Sequence, residues 1–162
     1  MSGPSSSCAP GSMQRSIVAI INPHASRFDA RAARSVFGTL AGQFHVETVE
    51  TQARGHATQL ADAAARSGAD LVVTFGGDGT LNEAVNGLAD HDVPVFPLPG
   101  GSQNVFAKLL GIPANLDDAA QDLLWRARDW QVRRVDAGRV NGRRFTFSAG
   151  VGLDAAVVER VD

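Results

Sequence analysis

Leu71-Val72-Val73-Thr74-Phe75-Gly76-Gly77-Asp78-Gly79-Thr80-Leu81-Asn82-Glu83-Ala84-Val85-Asn86-Gly87-Leu88 is the stretch whose reading decides the fold of this chain. Leu71 to Phe75 carries no charge and predicts a buried strand. Gly79 to Leu88 predicts a helix, with Leu81, Ala84, Val85 and Leu88 on one face. A buried strand that passes through a glycine turn into an amphipathic helix is half of a βαβ unit. The rest of the chain should therefore repeat the alternation.

It does so in both directions. Upstream, Ile17 to Ile21 is a second apolar strand, stopped by Asn22-Pro23. Residues 27–42 have helical spacing, Phe44 to Val49 alternates like a half-buried strand, and residues 56–67 form an alanine-rich helix ended by Gly68. Downstream, Val93 to Leu98 is a short strand between prolines, followed by helical stretches at 102–110 and 116–128. Strands alternating with helices predict an α/β fold, a doubly wound and mostly parallel sheet with flanking helices. The pattern then changes. Val132 to Val140, the turn pair Asn141-Gly142 and Arg143 to Ala149 predict a β-hairpin. The expected organisation is a disordered tail at 1–15, an α/β domain at 16–130, and at 131–162 the opening of a truncated β-rich second domain.

Composition bounds the function. Of 162 residues, 44% are apolar and 20% charged, so a packed core is expected and wholesale disorder is excluded. The net charge of -2 argues against a nucleic-acid-coating domain. Cys8 is the only cysteine, so no intrachain disulfide forms. No apolar run approaches the ~18–20 residues that span a bilayer. Residues 1–15 lack the basic and apolar regions of a secretory signal, so a cytoplasmic location is expected. The basic groups concentrate late: Arg126, Arg128, Arg133, Arg134, Arg139, Arg143 and Arg144 face only Asp129 and Asp136. That excess suits either a solvated face or peripheral contact with an anionic membrane.

The chemistry gathers at strand ends. In an open α/β sheet, ligands bind beyond the carboxyl ends of the strands. Gly76, Gly77 and Gly79 allow positive φ and a close ligand approach, and the following helix start favours a phosphate. Asp78 is the anomaly, because a carboxylate beside a phosphate is repelled unless a cation or a proton intervenes. That combination points to phosphoryl transfer with Mg²⁺. Glu83, on the same helix, is a candidate nucleotide contact. Pro99-Gly100-Gly101-Ser102-Gln103-Asn104 is a second loop of this kind. Ser102 is the expected N-cap of its helix, and the Gly100 and Gly101 amides are candidate phosphate donors. Asn22-Pro23-His24-Ala25-Ser26 supplies a third strand end at the same rim. No Walker A pattern, metal-ligand spacing or nucleophile elbow is present.

With these loops in view, the chain resembles the diacylglycerol kinase catalytic domain family, which includes bacterial lipid kinases and the sphingosine and ceramide kinases. The likeness runs from about Ile17 to Asp154. It is carried by Gly76 to Leu88, by Pro99 to Asn104 with Val105-Phe106-Ala107, by Thr51 with Gly55-His56-Ala57-Thr58, and by Asn22-Pro23. The resemblance implies a lipid kinase that moves the γ-phosphate of ATP to a diacylglycerol-like or sphingoid hydroxyl. ATP would be held by Asn22, Pro23, His24, Ala25, Ser26, Thr51, Gly76, Gly77, Asp78, Gly79, Thr80, Leu81, Asn82, Glu83, Gly101, Ser102 and Asn104. Asp78 would be the essential catalytic carboxylate. Mg²⁺ would accompany ATP, with its ligands and the general base in the second domain. The implied partners are ATP and a lipid acceptor at a membrane surface, with no nucleic acid and with room for a homodimer. Two departures stand out: Ala25-Ser26 where the family has Ser-Gly, and Ser102 where it has Thr.

NAD kinases and phosphofructokinases share the Gly-Gly-Asp-Gly loop, so a kinase of nucleotides or other small molecules is the rival reading. A truncated ATP-binding module without turnover is the non-enzymatic one. On the kinase reading, Asp78→Asn is expected to abolish transfer while sparing the fold.

Overall fold

A computed structural model describes residues 14–149. Four parallel strands form one sheet in the order β2-β1-β3-β4, from Ser16–Ile21 (β1), His45–Glu50 (β2), Leu71–Gly76 (β3) and Val95–Pro99 (β4). The helices between and after them are Ala30–Ala41 (α1), His56–Arg66 (α2), Asp78–Gly87 (α3), Val105–Leu109 (α4) and Leu116–Arg128 (α5). A two-stranded antiparallel hairpin, Gly138–Val140 (β5) and Arg143–Phe145 (β6), follows. The α/β architecture with flanking helices is as the alternation predicts.

The period-2 side-chain alternation of each strand divides the core between two faces. Ile17, Ala19 and Ile21 of β1 pack with Val73, Phe75 and Leu98 under α1 and α5. Val18, Ile20 and Val72 turn the other way, toward α2 and α3. β1 and β3, in the middle of the sheet, are covered on both faces, so neither shows a polar/apolar alternation.

The two helical layers differ in kind. α1 and α5 present large side chains, including Val36, Phe37, Leu40, Leu123 and Leu124. α2 presents Ala57, Ala61 and Ala64, so α3 approaches it closely. Gly87 sits at that contact: a methyl group there would collide with the Thr58 carbonyl and lie 2.9 Å from the Ala61 Cβ.

Several boundaries differ from the sequence expectation. α1 begins at Ala30 rather than residue 27, because Asp29 caps it through a 2.7 Å bond from Ala32 N–H, which leaves 22–29 as loop. α4 is cut to Val105–Leu109 because Asn104 takes a left-handed conformation, φ 47°. Ser102 is therefore an exposed loop residue and not an N-cap. The hairpin is shorter than 132–149, with residues 131–137 outside any strand, yet its turn is as read: Asn141 and Gly142 both have positive φ, 48° and 82°. The hairpin is docked on α3: the Asn86 carboxamide accepts from Arg144 N–H (2.8 Å) and donates to the Arg144 carbonyl (2.9 Å). The tail at 1–13 and the stretch 150–162, including Asp154, lie outside the described residues.

Two outcomes test this packing. Gly87→Ala should push α2 away from α3 and destabilise the domain by about 1–3 kcal/mol, read as a fall in Tm. Asp62 on α2 hydrogen-bonds His91 (2.8 Å) and Arg66, and these partners, His91 foremost, hold its carboxyl below its ordinary 3.8. A carboxyl lowered in the folded state stabilises above its ordinary value, and that gain is lost as pH falls through the folded one. The Tm difference between wild type and Asp62→Asn should therefore be full at neutral pH and close as pH drops below 3.8.

Candidate functional site: the rim above β1, β3 and β4

Three loops leave the carboxyl ends of β1, β3 and β4 side by side, as the parallel order requires. Main-chain hydrogen bonds stitch them together. Asn22 N–H donates to the Phe75 carbonyl (2.9 Å), Gly100 N–H to the Gly76 carbonyl (2.9 Å) and Arg27 N–H to the Gly100 carbonyl (3.0 Å). The Asn22 side chain adds a bond from Nδ2 to the Thr80 hydroxyl (3.2 Å), while its Oδ1 accepts from His24 N–H (2.9 Å). Thr51, buried at the end of β2, donates its N–H to the Ile21 carbonyl (2.8 Å) at the same rim.

The glycines here serve close approach, not unusual backbone angles. Gly76, Gly77, Gly79, Gly100 and Gly101 are not among the residues at positive φ. Any side chain on Gly76 would meet the Thr80 side chain, and one on Gly100 would meet the Phe75 ring at 2.9 Å. Gly77 and Gly101 face each other, so that a Cβ on Gly77 would sit 3.4 Å from the Gly101 Cα. Gly79 is the exception. It is exposed and a Cβ on it meets nothing within 4 Å.

The two acidic residues of α3 serve the starts of other helices. Asp78 accepts from Val105 N–H through Oδ2 (3.0 Å) and from Phe106 N–H through Oδ1 (3.0 Å). It thus caps α4, whose own Asn104 is turned back on Gly101 by reciprocal bonds of 2.9 and 2.7 Å. Glu83 accepts from Gly55 N–H (2.8 Å) and Ala57 N–H (3.3 Å), capping α2, whose N-cap position is a glycine. Thr58 Oγ1 returns a bond to the Glu83 carbonyl (3.0 Å). One signal was available in the sequence. Gly55, at the N-cap of α2, has no side chain to accept from its own helix start, so an acceptor from elsewhere was needed.

α3 itself ends differently. Asp29 and Asn115 cap α1 and α5 locally, and Glu83 and Asp78 cap α2 and α4 from a distance. At α3 the N-cap is Gly77, which offers no side chain, and the first intrahelical bond is Leu81 N–H to the Gly77 carbonyl (3.2 Å). The Asp78, Gly79 and Thr80 amides therefore receive no side-chain acceptor among the described residues. Next to them, Asn82 Oδ1 is buried without a hydrogen-bond partner among the described residues. An uncapped helix start is a site for an anion.

The expected site residues divide accordingly. Asn22, Gly76 to Asn82, Gly101 and Asn104 converge on the junction of these loops. Glu83 turns to the α2 start on the far side of α3. Pro23 and Ala25 are half-buried in the first loop, and His24, Ser26 and Ser102 are exposed on the rim. The Gly100 and Gly101 amides, expected as phosphate donors, are both occupied, by the Gly76 carbonyl and by Asn104 Oδ1. Among the described residues no three His, Cys, Asp or Glu side chains converge, and both Asp78 oxygens already accept from amides.

Comparison with known proteins identifies the family and the fold. Residues 16–140 match the diacylglycerol kinase catalytic domain. A diacylglycerol kinase of Bacillus subtilis is 40% identical over 115 residues, 67% of this chain and 36% of that protein. A diacylglycerol kinase of Staphylococcus haemolyticus is 33% identical over 113 residues, again 67% of this chain and 32% of the relative. A crystal structure of a diacylglycerol kinase from Bacillus anthracis superimposes with a TM-score of 0.71 at 33% identity, covering 83% of this chain and 46% of the other. The matched part of the chain thus spans about a third to just under half of the length of these proteins.

The capping role of Asp78 changes what its substitution should do. Asp78→Asn removes the charge from two charge-assisted bonds and can accept with one oxygen only. It should lower stability by about 1–3 kcal/mol, seen as a fall in Tm, instead of sparing the fold. Glu83→Gln should show a similar loss through α2. By its loops, its fold and its match over residues 16–140, the chain belongs to the diacylglycerol kinase catalytic domain family.

Proposed function

We propose that this chain is the nucleotide-binding half of an ATP-dependent lipid kinase. The observation that carries the reading is the open start of α3, alone among the five described helices in having no side-chain acceptor. ATP phosphates sit on the Asp78, Gly79 and Thr80 amides, where three helix-start N–H groups and the dipole compensate negative charge. Asn82 Oδ1 accepts a nucleotide donor. Asn22, His24 and Ser26 form the facing wall, and Gly101 and Ser102 the far edge. Mg²⁺ arrives with the triphosphate instead of residing on the protein's carboxylates.

In the transfer, the acceptor hydroxyl oxygen bonds to the γ-phosphorus, the bond from that phosphorus to the bridging oxygen breaks, ADP departs and the hydroxyl proton is released. This half binds and orients the donor. With both oxygens on the α4 amides, Asp78 acts as a positioning residue that locks the second loop against the first. The lipid acceptor, a diacylglycerol-like or sphingoid alcohol, is assigned to the longer protein; the relatives named diacylglycerol kinase support the first of the two. Exposed Val132, Val135 and Val140 interleaved with Arg133, Arg134 and Arg139 support a peripheral membrane contact.

The test is calorimetric titration with ATP. Wild type should bind one ATP. Gly79→Glu puts a carboxylate into the open space at the helix start, so it should abolish binding while leaving Tm near wild type. Undiminished ATP affinity in Gly79→Glu would overturn the reading. Labelled-ATP assays with diacylglycerol, sphingosine and NAD then separate a lipid kinase from a nucleotide kinase.

A further inference from the structure

A second site lies along the other end of α3. A cavity of about 360 Å³ opens between β4, the carboxyl-terminal part of α3, α5 and the segment that leads into the hairpin. Its walls include Val85, Leu88, Phe96, Leu123, Trp130 and Val135. Residues 76–80 do not line it, so it is separate from the proposed phosphate site. Its size falls in the ~300–1,000 Å³ range of small-molecule pockets.

We propose that this cavity binds the hydrocarbon chain of a long-chain fatty acid, with the carboxylate held by Arg144 and Thr146. Both residues line the cavity, Arg144 from β6 and Thr146 from the bend just after it. Thr146 Oγ1 is buried and has no hydrogen-bond partner among the described residues. A buried hydroxyl left unpaired is unfavourable, and a ligand oxygen relieves it. Arg144 stands on a fixed backbone, because Asn86 clasps both its N–H and its carbonyl. Of the other charged lining groups, Arg126 is neutralised by Asp122 at 2.7 Å, while Arg133 outweighs nothing more than Asp136. The mouth is therefore net cationic over an apolar interior, complementary to an anionic head on a hydrocarbon chain.

A β-strand is a poor occupant. β4 is an edge of the sheet, and Val72 N–H bonds to the Pro94 carbonyl while Gly100 N–H bonds to the Gly76 carbonyl. Residues of even number thus face β3, leaving 95, 97 and 99 to face outward. Pro97 and Pro99 have no N–H, so Val95 is the one donor available to an added strand. The prolines close this edge to strand pairing from a second copy and leave its apolar side chains to a ligand without backbone.

The test uses the chain as it stands, titrated with monomeric cis-parinaric acid and followed by its fluorescence. Wild type should show saturable binding of one molecule, displaced by palmitate and far less by methyl palmitate. Val85→Trp and, independently, Ala89→Phe fill the cavity and should weaken binding by about tenfold or more, with ATP affinity and Tm retained. Arg144→Gln should weaken the acid by a similar factor without changing displacement by the ester, because Asn86 grips only the Arg144 backbone. Thr146→Val should give a smaller loss. Equal displacement by acid and ester, or wild-type binding in both filled variants, overturns the proposal. So does a concentration-dependent dimer that excludes the probe, which assigns the cavity to a second copy.

Discussion

Everything at the candidate site depends on α3 carrying two carboxylates that cap other helices. Each helix start presents amides that must find acceptors, and a buried start without them is costly. Asp78 satisfies α4 and Glu83 satisfies α2, so both neighbours are held to α3 by charge-assisted bonds instead of by apolar contact alone. Among the described residues α3 has no side-chain acceptor at its own start. The helix that organises the other two is thereby the one with free amides, and those amides lie at the strand ends where a ligand is reached.

This arrangement explains residue types that a phosphate-cradle reading misassigns. Glycines in such a loop invite an appeal to left-handed backbone, yet at Gly76, Gly77, Gly100 and Gly101 the requirement is room, because two loops and an aromatic ring pass within contact of one another. Gly87 answers to the same constraint one helix length away, where α2 and α3 approach too closely for a methyl group. Asn86 is also structural in part: its carboxamide imitates a strand rung and fixes the hairpin against α3. Within Asp78 to Gly87, then, one helix caps two helices, packs against a third element and leaves one open end.

The two ends of α3 support different chemistry. Its start offers backbone donors and suits a polyanion. Its far end contributes Val85 and Leu88 to an apolar cavity with a cationic mouth. Because Asn86 ties the hairpin wall to the same helix, a shift of α3 would be felt at both places. Such coupling needs two arrangements of one rigid element, and α3 is the element that both sites share.

The α/β class, the strand and helix order and the rim of three loops were legible in the sequence, because they rest on local signals. Uncharged runs such as Leu71 to Phe75 announce buried strands, apolar spacing in Gly79 to Leu88 announces a helix, and Asn141-Gly142 announces a hairpin turn through its tolerance of positive φ. Likewise the location of a ligand rim follows from parallel strands alone. What the tertiary structure decided is which groups there are spoken for. The bonds from Asp78 to Val105 and Phe106, from Glu83 to Gly55 and Ala57, and from Asn86 to Arg144 join residues more than twenty positions apart, and no periodicity encodes them. The sequence shows a carboxylate beside a glycine turn; only the packing of α4 on α3 shows that both its oxygens already have partners, because a hydrogen bond depends on distance in space and not on separation along the chain.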